Sequence, residues 1–333
     1  MNDIIKLVHG DGGKHTHDLI ESIFYEHFRN DLLINGIDTA TFAVKQGRMA
    51  FTTDSFVVKP LFFKGGDIGK LAVYGTVNDL AVSGAKPLYL STAFIIEEGF
   101  PLESLKRIVV SIGDACMQAG VKVVTGDTKV VEKGRGDGIF INTCGVGIIE
   151  DDFSIKPIEE GDRIIVTGGI GEHGTAIALD RYDIKVKGNF ESDCAPLNKI
   201  VMKLKRFYLS IKIMKDPTRG GLATALNEIA SLSGLGVRVD EGCVPLRKEV
   251  KAANELLGLD PLYMACEGRL ILVVSKEAAD SLLEEIIKIE GCEEAKIIGN
   301  FVKEPYNMVY METFLGGKRI LNMLEGEMLP RIC

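Results

Sequence analysis

Asp216-Pro217-Thr218-Arg219-Gly220-Gly221-Leu222 is the stretch on which the reading of this chain turns. Asp caps a helix and Pro suits its first turn, which leaves backbone N–H groups free for an anion. Capping explains the Asp and the Pro but not the added Thr-Arg-Gly-Gly, and glycine lets a backbone approach a ligand closely. Working outward, periodicity predicts helices over 175–181, 197–214, 222–231, 246–257 and 278–289, with strands over 163–167, 237–239, 270–274 and 297–302. A hairpin follows, 308–314 with 319–321 around Gly316-Gly317, and the last stretch, 325–333, loses periodicity and reads as a mobile tail.

The first half is also mixed α/β. A glycine-rich start, His9-Gly10-Asp11-Gly12-Gly13-Lys14, precedes a helix over 17–28. Residues 42–44 and 49–53 read as a hairpin around Lys45-Gln46-Gly47-Arg48, strands follow over 88–96, 121–125 and 139–149, and helices lie over 67–83 and 102–119. The polar run Glu150-Asp151-Asp152 marks a composition shift. The organisation expected is therefore 1–37 as a glycine-rich segment and helix, 38–150 as a first domain, 151–306 as a second α/β domain, and 307–333 as hairpin and tail.

Composition bounds the function. The 333 residues are 46% hydrophobic and 26% charged, an ordinary globular balance. The formal charge of −8 lacks the basic footprint of a phosphate-neutralising nucleic-acid binder. Apolar runs are far shorter than the roughly 20 residues that span a bilayer, and the opening Met1-Asn2-Asp3-Ile4-Ile5-Lys6 is unlike a signal peptide, so a cytoplasmic protein is expected. Seven cysteines are widely spread with no C-x-x-C pair; six read as small buried apolar residues, and Cys333 stands apart at the end of the sequence.

Three aspartates carry chemistry. Asp54 ends an apolar strand, Asp127 follows one in Thr125-Gly126-Asp127-Thr128-Lys129, and Asp79 interrupts an apolar helix beside Asn78. Were they to converge, pairs about 4 Å apart would repel by about 4 kcal/mol at an effective dielectric near 20. Mg²⁺, bound through carboxylates, waters and nucleotide phosphates, would remove that penalty. The alternative is that Asp54 and Asp127 merely end strands and cap loops. Other candidates are weaker. Lys14 lies outside any G-x-x-x-x-G-K-[ST] phosphate loop, and Gly169-Ile170-Gly171-Glu172-His173-Gly174 lacks a ribose-binding acid on the next strand. His15 and His17 are two positions apart and do not face one another on a helix.

Asp54, Asp79, Asp127 and the 216–222 segment together resemble the ATP-binding superfamily of aminoimidazole ribonucleotide synthetase, selenophosphate synthetase and thiamine-monophosphate kinase. Within it, Gly10-Asp11-Gly12-Gly13 and the ending Pro330-Arg331-Ile332-Cys333 resemble the HypE family of hydrogenase maturation proteins, over nearly the whole chain. The resemblance implies a two-domain aminoimidazole-ribonucleotide-synthetase-like fold and a homodimer whose first domains share a barrel. It implies ATP-dependent dehydration of a carbamoyl group on Cys333 to a thiocyanate, which supplies the cyanide ligand of the [NiFe]-hydrogenase iron. A carbamoyltransferase, HypF, would load Cys333, and the HypC–HypD complex would receive the cyanide. ATP and phosphate contacts would fall on Gly12, Gly13, Asn78, Thr128, Asp216, Thr218, Gly220 and Gly221, and Mg²⁺ on Asp54, Asp79 and Asp127. Glu267 would be the general base and Lys129 would steady charge or relay a proton; the alternative for Glu267 is a solvated charge paired with Arg269. Neither nucleic acid nor membrane is an expected partner. Two other readings stay open: a small-molecule synthetase or kinase of the same superfamily for which Cys333 is incidental, and a non-catalytic scaffold binding partners through its acidic surface and tail.

Overall fold

The computed structural model describes residues 4–10, 14–33, 47–149, 153–188, 190–325 and 332. Gly12, Gly13 and Cys333 lie outside them, as does the first arm of the 42–53 hairpin.

In the first half, α1 (Lys14–Leu19) runs through a π-helical turn (Ile20–Tyr25) into α2 (Glu26–Phe28). Strand β1 (Arg48–Phe56) and the short pair β2 (Phe62–Phe63) and β3 (Gly66–Asp67) lead into α3 (Ile68–Val82). Next come β4 (Lys86–Glu97), α4 (Leu102–Ala119), β5 (Lys122–Val131) and β6 (Ile139–Ile149). The four long strands form an open sheet in the order β1-β6-β4-β5, with β1 and β5 at its edges. Helix α3 begins where the Asp67 carboxylate accepts from the N–H groups of Gly69 and Lys70, at 2.8 and 3.0 Å. Its apolar residues surround it, and nearly all of them are buried because it lies between this sheet and the second half of the chain. Gly75 lets the Phe56 ring approach: a Cβ there would sit 2.7 Å from it.

The second half holds β7 (Arg163–Val166), α5 (Glu172–Arg181), α6 (Asn198–Lys203), β8 (Ile211–Lys215), α7 (Gly221–Ser233), β9 (Gly236–Asp240) and α8 (Lys248–Leu257). It closes with β10 (Ile271–Val274), α9 (Ala279–Ile286), β11 (Lys296–Val302), β12 (Val309–Glu312) and β13 (Lys318–Ile320). These strands make one seven-stranded sheet, β13-β12-β9-β11-β7-β10-β8, with a core on each face, one built on Leu222, Leu226 and Ile229 of α7 and the other on Leu282 and Ile286 of α9.

The structure corrects three expectations, on the 197–214 helix, the end of β5 and the tail. The helix over 197–214 is a short helix, a 3₁₀ turn (Lys205–Phe207) and strand β8; Ile211 and Ile213 alternate with Lys212, which points to Glu159 and Asp162, and that is strand periodicity. Strand β5 runs on to Val131, so Asp127 lies inside it, paired with Ala93. The 308–321 hairpin forms as expected, β12 with β13, and β12 also pairs in parallel with β9 and so extends the sheet. The tail is also seated at one point: Ile332 forms an antiparallel bridge with Val58 and packs on the first core. Among the described residues no helix is long and apolar enough to cross a membrane.

Candidate active site

Asp79 projects from α3 and Asp54 from β1, and the Thr52 hydroxyl donates to Asp79 Oδ2 at 2.9 Å. Burial raises the pKa of both carboxyls; the Asp54 value is raised further by Asp79, against the opposing Ser55 N–H, and Arg219 offsets part of each. Asp216 joins them from the loop between β8 and α7. It is buried, and desolvation with the charge of Asp79 pushes its pKa up to about 6.

That loop is shaped as the sequence suggests in part. Helix α7 begins at Gly221 with Gly220 as its N-cap, both left-handed at φ 59° and 74°, so Asp216 is not the cap. Gly221 is required there: a Cβ would meet the Met264 carbonyl at 2.6 Å. The Cys266 N–H donates to the Pro217 carbonyl at 2.9 Å, fixing the loop beside Glu267.

Glu267 is 2% exposed and its Oε1 has no hydrogen-bond partner among the described residues. Desolvation first, then the charges of Asp216, Asp193 and Asp54, hold its carboxyl well above the usual range. Arg269 does not pair with it. That guanidinium donates to Glu172 at 2.6 Å and lies 3.4 Å from Asp193, whose other oxygen accepts from the Glu267 N–H at 3.1 Å. The alternative of a solvated Glu267 paired with Arg269 is therefore set aside, and a buried, proton-hungry carboxyl with a free lone pair replaces it. Asp193, its own pKa pushed up to about 6 by burial, was not legible as a site residue because it stands in the polar loop Glu191-Ser192-Asp193 with no motif around it.

Asn78 proves to be a clamp. Its Nδ2 donates to the Ala195 and Glu267 carbonyls at 3.1 and 3.2 Å, and its Oδ1 accepts from the Leu197 N–H at 2.8 Å. With both amide hydrogens spent on backbone, it holds α3 to the Glu267 segment and is not free for a phosphate.

Asp127 does not join Asp54 and Asp79. The pairings Asp54 to Thr143, Thr143 to Thr92 and Thr92 to Gly126 carry one row across the sheet, so Asp54 and Asp127 sit on opposite edges. Alternation then places them on opposite faces. Lys129 shares the Asp127 face, 3.7 Å from its carboxylate, both well exposed. Among the described residues no three or more His, Cys, Asp or Glu side chains form a group able to hold a metal. Thr128 is buried on the other face, and a cavity of about 390 Å³ is lined by Asp127, Thr128 and Lys129 together with Gly10, Thr16 and Thr92. A larger cavity, about 850 Å³, lies in the second half between Arg247, Lys251, Asp260, Phe314 and Arg319, and holds none of the expected site residues.

The Gly169-to-Gly174 motif is filled by its own chain: the Glu172 carboxylate lies where a Gly169 Cβ would stand, 2.6 Å away, and is held by Arg247 and Arg269.

Two family models match the chain, AIR synthase related protein N-terminal domain over 36–149 and AIR synthase related protein C-terminal domain over 159–312. The chain is 49% identical to carbamoyl dehydratase HypE of Rhizobium leguminosarum bv. viciae, covering 100% of this chain and 96% of that protein. A crystal structure of hydrogenase maturation protein HypE in complex with ATP superposes with a TM-score of 0.94 at 45% identity, covering 98% and 99% of the two chains. The HypE chain of a HypE–HypF complex superposes with a TM-score of 0.80 at 46% identity, covering 91% and 99%. The chain belongs to the AIR synthase related proteins and, within them, to the HypE family of carbamoyl dehydratases.

Proposed function

We propose that this chain is an ATP-dependent dehydratase that converts an S-carbamoyl group on its own Cys333 into a thiocyanate. The observation that carries the reading is that tail and base meet on one loop. Ile332 is held by His173, which contacts Ser192, and the next residue, Asp193, accepts from the Glu267 N–H.

An amide oxygen is a poor leaving group. Transfer of the ATP γ-phosphoryl to the carbamoyl oxygen makes it one; the nitrogen then gives up its two protons, the C–O bond breaks with loss of phosphate, and S–C≡N remains. Glu267 takes a nitrogen proton, a role supported by its unpartnered Oε1 and its raised pKa. Asp54 and Asp79, two carboxylates brought together by β1 and α3, would hold Mg²⁺, an ion that needs only one or two protein carboxylates. When bound, that ion offsets charge on the transferred phosphoryl. Thr218, Gly220, Gly221 and the start of α7 would take the phosphates, a role supported by the helix start at Gly221 and by Arg219, whose charge opposes that of Asp54.

A homodimer completes the site. Phe51 and Ile95 are 71% and 45% exposed on the sheet face opposite α3, the face that carries Asp127 and Lys129. Pairing that face with a second copy, so that the β5 edge of one sheet lies beside the β1 edge of the other, buries the apolar residues and would bring the partner's Asp127 and the partner's Lys129 around that edge toward Asp54 and Asp79. Thr128, which lines the smaller cavity, is assigned to the nucleotide, as are Gly12 and Gly13, which lie outside the described residues. Loading of Cys333 by the carbamoyltransferase HypF and transfer of cyanide to HypC–HypD stand on either side of this reaction, in the cytoplasm.

The test is ADP formation with Mg·ATP after carbamoylation. Cys333→Ala is expected to bind Mg·ATP normally and to show no carbamoyl-dependent ADP; undiminished carbamoyl-dependent ADP in that variant contradicts the reading.

A further inference from the structure

His173 lies in the first turn of α5, fully buried, with both ring nitrogens engaged. Nε2 is 2.7 Å from the Ile332 carbonyl oxygen, and Nδ1 is 2.7 Å from Ser192 Oγ. A carbonyl only accepts, so Nε2 carries the proton and donates. Burial, which pushes the imidazole pKa down to about 4 against the Ile332 carbonyl, keeps the ring neutral. Nδ1 must then accept, and the Ser192 hydroxyl donates to it. Ser192 Oγ in turn accepts from the Cys194 N–H at 3.1 Å. One hydrogen-bond polarity therefore runs from Cys194 through Ser192 and His173 to the tail.

The frame around this chain is rigid. The Ser192 N–H donates to the Lys64 carbonyl at 2.8 Å, and the Phe63 ring meets the imidazole edge-on at 5.4 Å and 83°. Ile332 has two further anchors, its bridge to Val58 and the packing of its side chain on the first core. The imidazole is the one side chain among the described residues seen to bond the Ile332 backbone.

We propose that His173, oriented by Ser192, is a positioning residue that latches the tail through the Ile332 carbonyl and so sets where the adjoining Cys333 is presented. The inference rests on the dehydratase reading in one respect. A thiol loaded by a second enzyme and then processed in its own site must alternate between released and seated positions; beside the Val58 bridge and the side-chain packing, a neutral hydrogen bond from the buried ring adds a contact that is weak enough to let go and directional enough to fix register. Removing it favours release, so loading and dehydration should move in opposite directions. A merely structural histidine would not separate them.

The experiment uses the full chain as wild type, His173→Phe and Ser192→Ala. Phe keeps the aromatic packing and removes the donor; Ala removes the tautomer control without disturbing the ring's site. Each is treated with iodoacetamide, and labelling of Cys333 is followed in the peptide cleaved after Glu327, with Cys243 as internal reference and Mg·ATP binding as the check of fold. Loss of one such bond predicts Cys333 labelling about three- to tenfold faster in the variants, with Cys243 unchanged. Carbamoyl loading should quicken and dehydration of the loaded tail should slow. Should His173→Phe fail to bind Mg·ATP, Ser192→Ala decides. Cys333 labelling at the wild-type rate in a folded variant overturns the latch. Absence of any carbamoyl uptake by wild type would overturn the dehydratase reading instead, and the labelling result would stand without it.

Discussion

Glu267 combines near-complete burial, a carboxylate oxygen without a partner among the described residues and three neighbouring acids, and each of these favours its protonated form. A base must be ionised to act, so the acid limb of the dehydration step should lie well above the ordinary carboxylate range, with the rate rising as pH rises through it. Glu267→Gln should lower single-turnover dehydration about 10²- to 10⁴-fold and abolish that limb, while carbamoyl loading is unaffected. Asp216 makes a separate prediction for the ligand-free protein. The unfolded chain releases this proton near pH 4 and the folded chain near about 6, so the folded state holds the extra proton between them. Stability therefore falls as pH rises through that window, by up to about 3 kcal/mol, and then levels. Asp216→Asn should match wild type in urea denaturation below pH 4 and exceed it above pH 6; equal midpoints throughout would show that the carboxyl is not strained. At this scale the sequence was half informative. Glu267 was reached through its resemblance to a family. The clamp made by Asn78 and the separation of Asp127 from Asp54 within one chain were not legible, because the direction of a side chain depends on helix packing and strand register, which a local motif does not encode.

Helix α3 is the element that joins the two halves, and its burial on every side is why an Asn-Asp pair within it had to find partners. Asp79 finds Thr52, and Asn78 finds the backbone of the Glu267 segment. Asn78→Ala leaves the Ala195 and Glu267 carbonyls and the Leu197 N–H without these bonds, at a cost of about 1 to 3 kcal/mol in urea unfolding. Wild-type stability would show the clamp to be idle. Gly221→Ala should cost a similar 1 to 3 kcal/mol, roughly, because a side chain is strained at φ 59° and its Cβ would strike the Met264 carbonyl. Elements with one dominant period were legible: α4 and β6 span the residues that periodicity predicts. The run 197–214 was not, because Leu204, Phe207 and Leu209 continue a helical stripe up to the point where Ile211 and Ile213 turn it into a strand paired with β10.

In the whole molecule, the carboxylates divide between opposite edges and faces of one open sheet. A site that needs both groups must draw one from a second copy. Mixing Asp54→Asn with Asp127→Asn chains should then restore up to about a quarter of wild-type turnover, since random pairing leaves one intact site in half of the dimers. No recovery on mixing would contradict a shared site. This arrangement was beyond the sequence, which gives the residues but not the edge on which each strand ends up; only the family resemblance pointed to a dimer. The direct test of the whole account is intact-protein mass spectrometry after incubation with the carbamoyltransferase, carbamoyl phosphate and ATP, followed by Mg·ATP, with Cys333→Ala alongside. The account predicts one carbamoyl mass gained only when Cys333 is present, then loss of one water. A carbamoyl adduct retained on Cys333→Ala, or one on wild type that never loses water with Mg·ATP, would contradict it.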